Sequence, residues 1–217
     1  MGSSDGISTN LILIVYLINM LKYVNYDIVF QELPNETTLA INISNCPCHC
    51  KGCHSSYLAE DIGKPLIFRE IERLIKENEG ITAICFMGGD SEPKLINHYA
   101  KLIRESTIDE VVDSFTVTKD VELPKGIKIS AGSVVKSTRK VPNPIRIGWY
   151  SGRQELSKDI DIKNFNYIKL GPYIEELGGL KNPNTNQRLY EVQMSREIDE
   201  NGDPVYGLMD ITNVFWK

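Results

Sequence analysis

The sequence predicts an α/β fold with a parallel sheet, and three features predict it. The run 81–87 (ITAICFM) is almost entirely apolar, the mark of a strand covered on both faces. Two stretches whose apolar residues recur at helical spacing flank it. Strand-like runs resume at 145–150 and 167–170, each followed closely by Gly or Pro, so strands and helices alternate as they do in a parallel sheet.

In chain order, Ile28 and Phe30 alternate with polar neighbours, and so do Leu39, Ile41 and Ile43. With the turn residues Pro34-Asn35 between them, these are two strands. The second runs straight into a group of cysteines, which places that group on a loop at a strand's C-terminal end. Pro65 opens a helix with Ile67, Ile71, Leu74 and Ile75 on one face, and Gly80 ends it. The strand 81–87 stops at Gly88-Gly89-Asp90. A second helix follows Pro93, with Leu95, Ile96, Tyr99, Leu102 and Ile103 on its apolar face. Residues 107–143 break the rhythm. Phe115 and Val117, Val121 and Leu123, and Ile127 and Ile129 alternate around turns at Pro124-Lys125-Gly126 and Ala131-Gly132, a β-rich insertion that ends in the linker-like Val141-Pro142-Asn143-Pro144. The tail from Arg188 reads as a hairpin about Glu200-Asn201-Gly202-Asp203.

Length and charge bound the function. The 217 residues make one domain of generous size or one domain with additions. With 24 Lys+Arg against 29 Asp+Glu the net charge is −5, which argues against nucleic acid or an anionic membrane as partner, since both attract basic surfaces. The apolar run 11–18 (LILIVYLI) falls far short of the roughly 20 residues that span a bilayer, and no basic residue precedes Lys22 as a signal peptide would require. Residues 1–19 therefore read as a leader, disordered or peripheral, before a single domain at 20–217 interrupted by the insertion at 107–143.

Cysteine placement says more. Four of the five, Cys46, Cys48, Cys50 and Cys53, fall within eight residues. A disulfide framework spreads its cysteines to staple distant segments; thiols this close hold a metal or do redox chemistry in a reducing compartment, most simply the cytoplasm. Cys46, Cys50 and Cys53 have the spacing C-x3-C-x2-C, which can wrap one face of a cubane cluster and leave its fourth iron without a protein ligand. The rival is a zinc site drawn from the four cysteines with His49 and His54, although zinc modules usually take a second ligand pair from a distant segment, and Cys85 and His98 stand alone. Cys48, off the spacing, reads as a small loop-packing residue and Cys85 as core.

The stretch 46–54 (CPCHCKGCH), followed one strand later by Gly88-Gly89-Asp90, resembles the cluster and S-adenosylmethionine (SAM) motifs of the radical SAM superfamily. Residues 149–153 (WYSGR), 167–173 (YIKLGPY) with 174–180, and 185–190 (TNQRLY) narrow the resemblance to the activating proteins of anaerobic (class III) ribonucleotide reductases. It covers 20–104 and 144–217. The resemblance implies an incomplete radical SAM-type β/α barrel of about six strands. It implies a [4Fe-4S] cluster on Cys46, Cys50 and Cys53, and SAM contacted by Gly52, Cys53, His54, Gly88, Gly89, Asp90 and Ser151. The activity implied is reductive cleavage of SAM, the resulting 5′-deoxyadenosyl radical taking hydrogen from a glycine of the reductase's large subunit. A low-potential donor such as flavodoxin or ferredoxin would supply the electron, and no further catalytic residue is needed. The sequence departs from the pattern at Gly52, where the superfamily often has an aromatic, at Asp90 in place of Glu, and in the insertion, which has no counterpart. Activation of another glycyl radical enzyme, small-molecule radical SAM chemistry and a non-catalytic zinc module are the alternatives.

Overall fold

The computed structural model describes residues 20–216; the apolar run 11–18 and the expected leader lie outside them. The chain divides into two units, one of residues up to 102 with those from 145 onward, the other 103–144.

In the larger unit, strands β1 (Lys22–Val29), β2 (Thr38–Ile43) and β3 (Lys64–Pro65) precede helix α1 (Phe68–Glu77), β4 (Ala83–Met87) and helix α2 (Pro93–Glu105). The 103–144 unit holds β5 (Thr107–Thr116), β6 (Val121–Leu123), β7 (Ile127–Ile129) and β8 (Val134–Pro142). The larger unit then resumes with β9 (Arg146–Tyr150), β10 (Tyr167–Leu170), β11 (Arg188–Ile198) and β12 (Pro204–Asp210). Eight of these strands form one sheet in the order β12-β11-β10-β9-β4-β2-β1-β3. The middle four, β2, β4, β9 and β10, run parallel, and β1 and β11 pair antiparallel on either side of them.

This corrects the expected fold class. The described residues form a large mixed sheet with only two α-helices, and neither a parallel sheet nor a radical SAM-type partial β/α barrel. The crossover from β9 to β10 shows why. Residues 151–166 carry no apolar stripe at helical spacing, and the segment makes only a 3-10 turn, Ile162–Asn164, capped by the Asp161 carboxylate on the Lys163 N–H. The Asn97 side chain from α2 pins that turn by accepting from the Asp161 N–H and the Asn164 amide. Helix α1 also starts three residues later than Pro65, which instead sits in the short edge strand β3, where a missing N–H is tolerated.

The parallel strands are buried as their composition requires: every residue of β10 is buried, as are the first four of β4. Side chains alternate faces. Ala83 and Cys85 join Leu33, Tyr167 and Leu189 in one cluster, with Met87, Tyr150, Leu180, Ile211 and Phe215 packed against it. At the N-terminal edge of these strands Arg146 bridges Glu36 and Glu191 and lies 4.5 Å over the Tyr167 ring. At the C-terminal edge the loops after β2, β4, β9 and β10 carry the candidate site.

The 103–144 unit is an antiparallel ribbon. β5 pairs with β8 from Thr107↔Pro142 to Thr116↔Val134, and β6 pairs with β7 beyond it. Asp109–Lys140 and Glu110–Arg139 ion pairs join its strands, every residue of β5 is exposed, and Val117, just after β5, is buried. No helix among the described residues is long and apolar enough to cross a membrane.

Candidate functional site

The cysteine loop leaves the buried strand β2 through Ser44, whose hydroxyl donates to the Ile62 carbonyl at 2.5 Å. Asn45 adopts φ +58°, and the N–H groups of Asn45 and Cys46 donate to the carbonyls of Glu60 and Leu58 at 3.0 and 2.9 Å. The 3-10 turn Ser56–Ala59 thus brings the chain back and closes the loop at its base. A turn closes from the Cys53 N–H to the Cys50 carbonyl (3.3 Å). All four loop cysteines are free thiols, half-buried, while Cys85 is fully buried.

Cys46, Cys50 and Cys53, with His49, Ser55, Ser56 and Ala59, line one cavity of about 200 Å³. Cys48 faces the β9 loop: a Cβ on Gly152 would lie 2.6 Å from its Sγ. Among the described residues, the one Cys/His/Asp/Glu trio whose donor atoms all lie within 4.8 Å of one another is Cys46, Cys48 and Asp90. Burial, then the Asp90 carboxylate and Cys46, push the Cys48 thiol up to about 12.

Asp90 belongs to the fold as much as to any ligand. It is fully buried. Its carboxylate accepts the Ser151 hydroxyl at 2.5 Å and the Gly152 N–H at 3.0 Å, Arg153 Nε lies 3.7 Å away, and its own carbonyl takes the Arg153 guanidinium at 2.7 Å. With these contacts made, it is a poor third ligand for an ion between Cys46 and Cys48. The glycines before it are needed for close packing. Gly88, at φ +99°, would put a Cβ 3.1 Å from the Ile43 carbonyl, and Gly89 one 2.6 Å from Ile96 Cδ1. Their carbonyls already accept, from the Trp149 indole N–H (2.8 Å) and the Glu92 N–H (3.0 Å) respectively. Each keeps a second lone pair.

The remaining expected contacts lie on the rim. A Cβ on Gly52 would stand 3.0 Å from Glu175 Cδ, Lys51 pairs with Glu175 at 3.8 Å, and the His54 and Tyr173 rings are 5.6 Å apart. The cysteine loop therefore packs on the loop after β10. Of the residues assigned to SAM, only Cys53 lines the 200 Å³ cavity; Asp90 and Ser151 are joined to each other beside Cys48.

Gly152, Arg153 and Lys169 lie within the motifs 149–153 and 167–173 that carry the resemblance, and sequence reasoning places Gly152 and Lys169 near the site, but it gives none of the three a specific contact. Lys169, 7% exposed, donates from Nζ to the carbonyls of Gly171 (2.6 Å) and Ser151 (3.3 Å). Burial pushes its ammonium down to about 8, against the opposing pull of Asp90 and the cysteines. The available signal was a lysine inside an otherwise apolar four-residue strand.

No protein-family model, curated protein or solved structure matches the chain.

Proposed function

We propose that the chain is a radical SAM activase, holding a [4Fe-4S] cluster on Cys46, Cys50 and Cys53, cleaving SAM reductively and generating the glycyl radical on an anaerobic ribonucleotide reductase. The observation that carries this reading is the spread of those three thiols around a cavity of about 200 Å³. A single zinc ion draws its sulfurs to about 2.3 Å from itself, and hence within about 4 Å of one another. Cys46, Cys50 and Cys53 are not such a group among the described residues, so their arrangement suits a multi-iron centre better than one ion. When bound, such a cluster supplies a low-potential electron and an iron with no protein ligand.

The chain's own residues hold and enclose. Cys46, Cys50 and Cys53 are the ligands, and Cys48, packed on Gly152, is not one. Asp90 fixes the Ser151-Gly152-Arg153 turn against the cysteine loop, while Gly52 and His54 form a rim with Glu175 and Tyr173. The second lone pairs of the Gly88 and Gly89 carbonyls remain for the methionine ammonium of SAM. The electron would come from a flavodoxin or ferredoxin, and the free thiols suit a reducing cytoplasm.

The test is anaerobic loading with iron and sulfide. The expected result is a brown protein with about four iron and four sulfide per chain, absorbing near 400 nm, that yields 5′-deoxyadenosine with dithionite and a glycyl radical signal on the reductase. Cys46→Ala, Cys50→Ala and Cys53→Ala each lose the cluster; Cys48→Ala and Cys85→Ala keep it. His49 lines the same cavity and favours a second reading, a Cys3His zinc module without catalysis. One zinc per chain, lost in His49→Ala, with no visible absorbance would replace the first reading by the second.

A further inference from the structure

Among the described residues Lys169 is the one buried cation. It stands third in β10, between Ile168 and Leu170, in register with Tyr150 of β9 and Leu189 of β11. The residue is 7% exposed, and its Nζ spans two loops, donating to the Ser151 carbonyl after β9 and the Gly171 carbonyl after β10. The Gln187 amide shares the Gly171 carbonyl at 3.4 Å. Ser151 in turn donates to Asp90, and Gly152 lies on Cys48. A connected path therefore runs from the lysine to the cysteine loop.

Tying two carbonyls together needs no charge: a neutral amide donor would do it without the desolvation penalty of a buried ion. The fold nevertheless keeps an ammonium here, and the groups that favour its charged form are Asp90 and the loop cysteines Cys50, Cys48 and Cys53. We propose that Lys169 is a positioning residue for the cysteine centre, its ammonium fixed on the Ser151 and Gly171 carbonyls so that its positive charge offsets the negative charge of the thiolate-held group. The inference rests on the reading of Cys46, Cys50 and Cys53 as cluster ligands.

Two variants of the full chain separate charge from hydrogen bonding. Lys169→Met removes both, and Lys169→Gln keeps an amide donor for the carbonyls while removing the charge. In the metal-free protein, iodoacetamide alkylation of Cys50 and Cys53, resolved by peptide mass spectrometry, is expected to slow about threefold or more in both variants, because a nearby cation favours the reactive thiolate. After anaerobic loading with iron and sulfide, the reduced-to-oxidised ratio of the centre at a fixed applied potential is expected to fall about tenfold in both, a shift of about 59 mV for one electron. Far-UV circular dichroism checks the fold, and Lys169→Gln carries the test if Lys169→Met does not fold. A Lys169→Gln protein with wild-type alkylation rates and wild-type potential would overturn the proposal and leave Lys169 as a structural tie. If the wild type takes up no iron or sulfide, the cluster reading itself fails; alkylation then decides, slowing supporting the charge role and unchanged rates ending it.

Discussion

Replacing Asp90 with Ala separates a structural acid from a ligand-binding one, because the cost can be read with no metal or SAM present. The carboxylate is fully buried and accepts two hydrogen bonds, from the Ser151 hydroxyl and the Gly152 N–H, with Arg153 alongside. Hydrogen bonds to a charged group contribute about 1.5–3 kcal/mol each. Two of them, less the desolvation of the carboxylate itself, give a loss of about 3–5 kcal/mol, the range seen when one partner of a buried pair is removed. For a chain of this length each kcal/mol shifts the midpoint by about 2–4 °C, so the expected fall in Tm is about 6–20 °C. Asp90→Asn is milder, about 1–3 kcal/mol. Its amide oxygen can still accept from Gly152, but its NH2 must donate to Ser151 Oγ, which already accepts the Arg153 N–H at 3.0 Å. The assay is thermal and urea unfolding of the metal-free protein followed by circular dichroism, with Ser151→Ala completing a double-mutant cycle. An Asp90→Ala protein melting within about 2 °C of wild type would refute the idea that this carboxylate holds the loops together, and would return Asp90 to a purely ligand-binding role.

Gly152→Ala would place a methyl 2.6 Å from Cys48 Sγ. It should cost about 1–3 kcal/mol by overpacking, and Cys48→Ala in the same chain should recover part of that in urea midpoints. Hydrogen bonds from Arg73 and Tyr23 hold the Glu70 carboxyl at about 2 instead of its ordinary 4.5. Its carboxylate therefore favours the fold above about pH 4.5, and that contribution is lost as pH falls toward 2. Glu70→Gln should flatten this part of the acid limb, and a midpoint-versus-pH profile identical to wild type would count against the network. Because Thr107 pairs with Pro142, removing 108–141 leaves ends one strand spacing apart. The shortened chain, joined by two glycines, should keep its melting temperature within a few degrees and take up iron and sulfide at the wild-type ratio; loss of iron uptake in a folded product would tie the ribbon to the centre.

The parts of the fold that depend on local pattern were legible. The apolar runs became β4, β9 and β10, the helical stripe after Pro93 became α2, and the turn at 200–203 joins β11 to β12. The insertion was seen as β-structure, though with strands longer than the alternation indicated, since Asp109, Glu110 and Asp113 sit in β5 on the strength of ladder hydrogen bonds and cross-strand ion pairs. What failed was the inference from rhythm to architecture. A parallel crossover needs length but not a helix, and residues 151–166 make theirs with a turn pinned by Asn97, a tertiary contact that no local window contains. The site divides in the same way. The cysteine spacing marked Cys46, Cys50 and Cys53, which share one cavity. The ties that order their surroundings, Asp90 to Ser151 and Lys169 to Gly171, join loops from different strands and emerge only once β4, β9 and β10 lie side by side.

The sheet keeps its two sets of charges at opposite ends. Arg146, with Glu36 and Glu191, occupies the edge where the parallel strands begin; Asp90 and Lys169 occupy the edge where they end. Five residues of β4 separate the two, about 13 Å of strand. Groups that far apart with no shared partner contribute to stability independently. The Arg146 end is therefore a place to raise the protein's tolerance of heat without touching the cysteine edge, and a reserve of stability gained there would let otherwise lethal substitutions around Cys46–Cys53 be made and read for their chemistry alone.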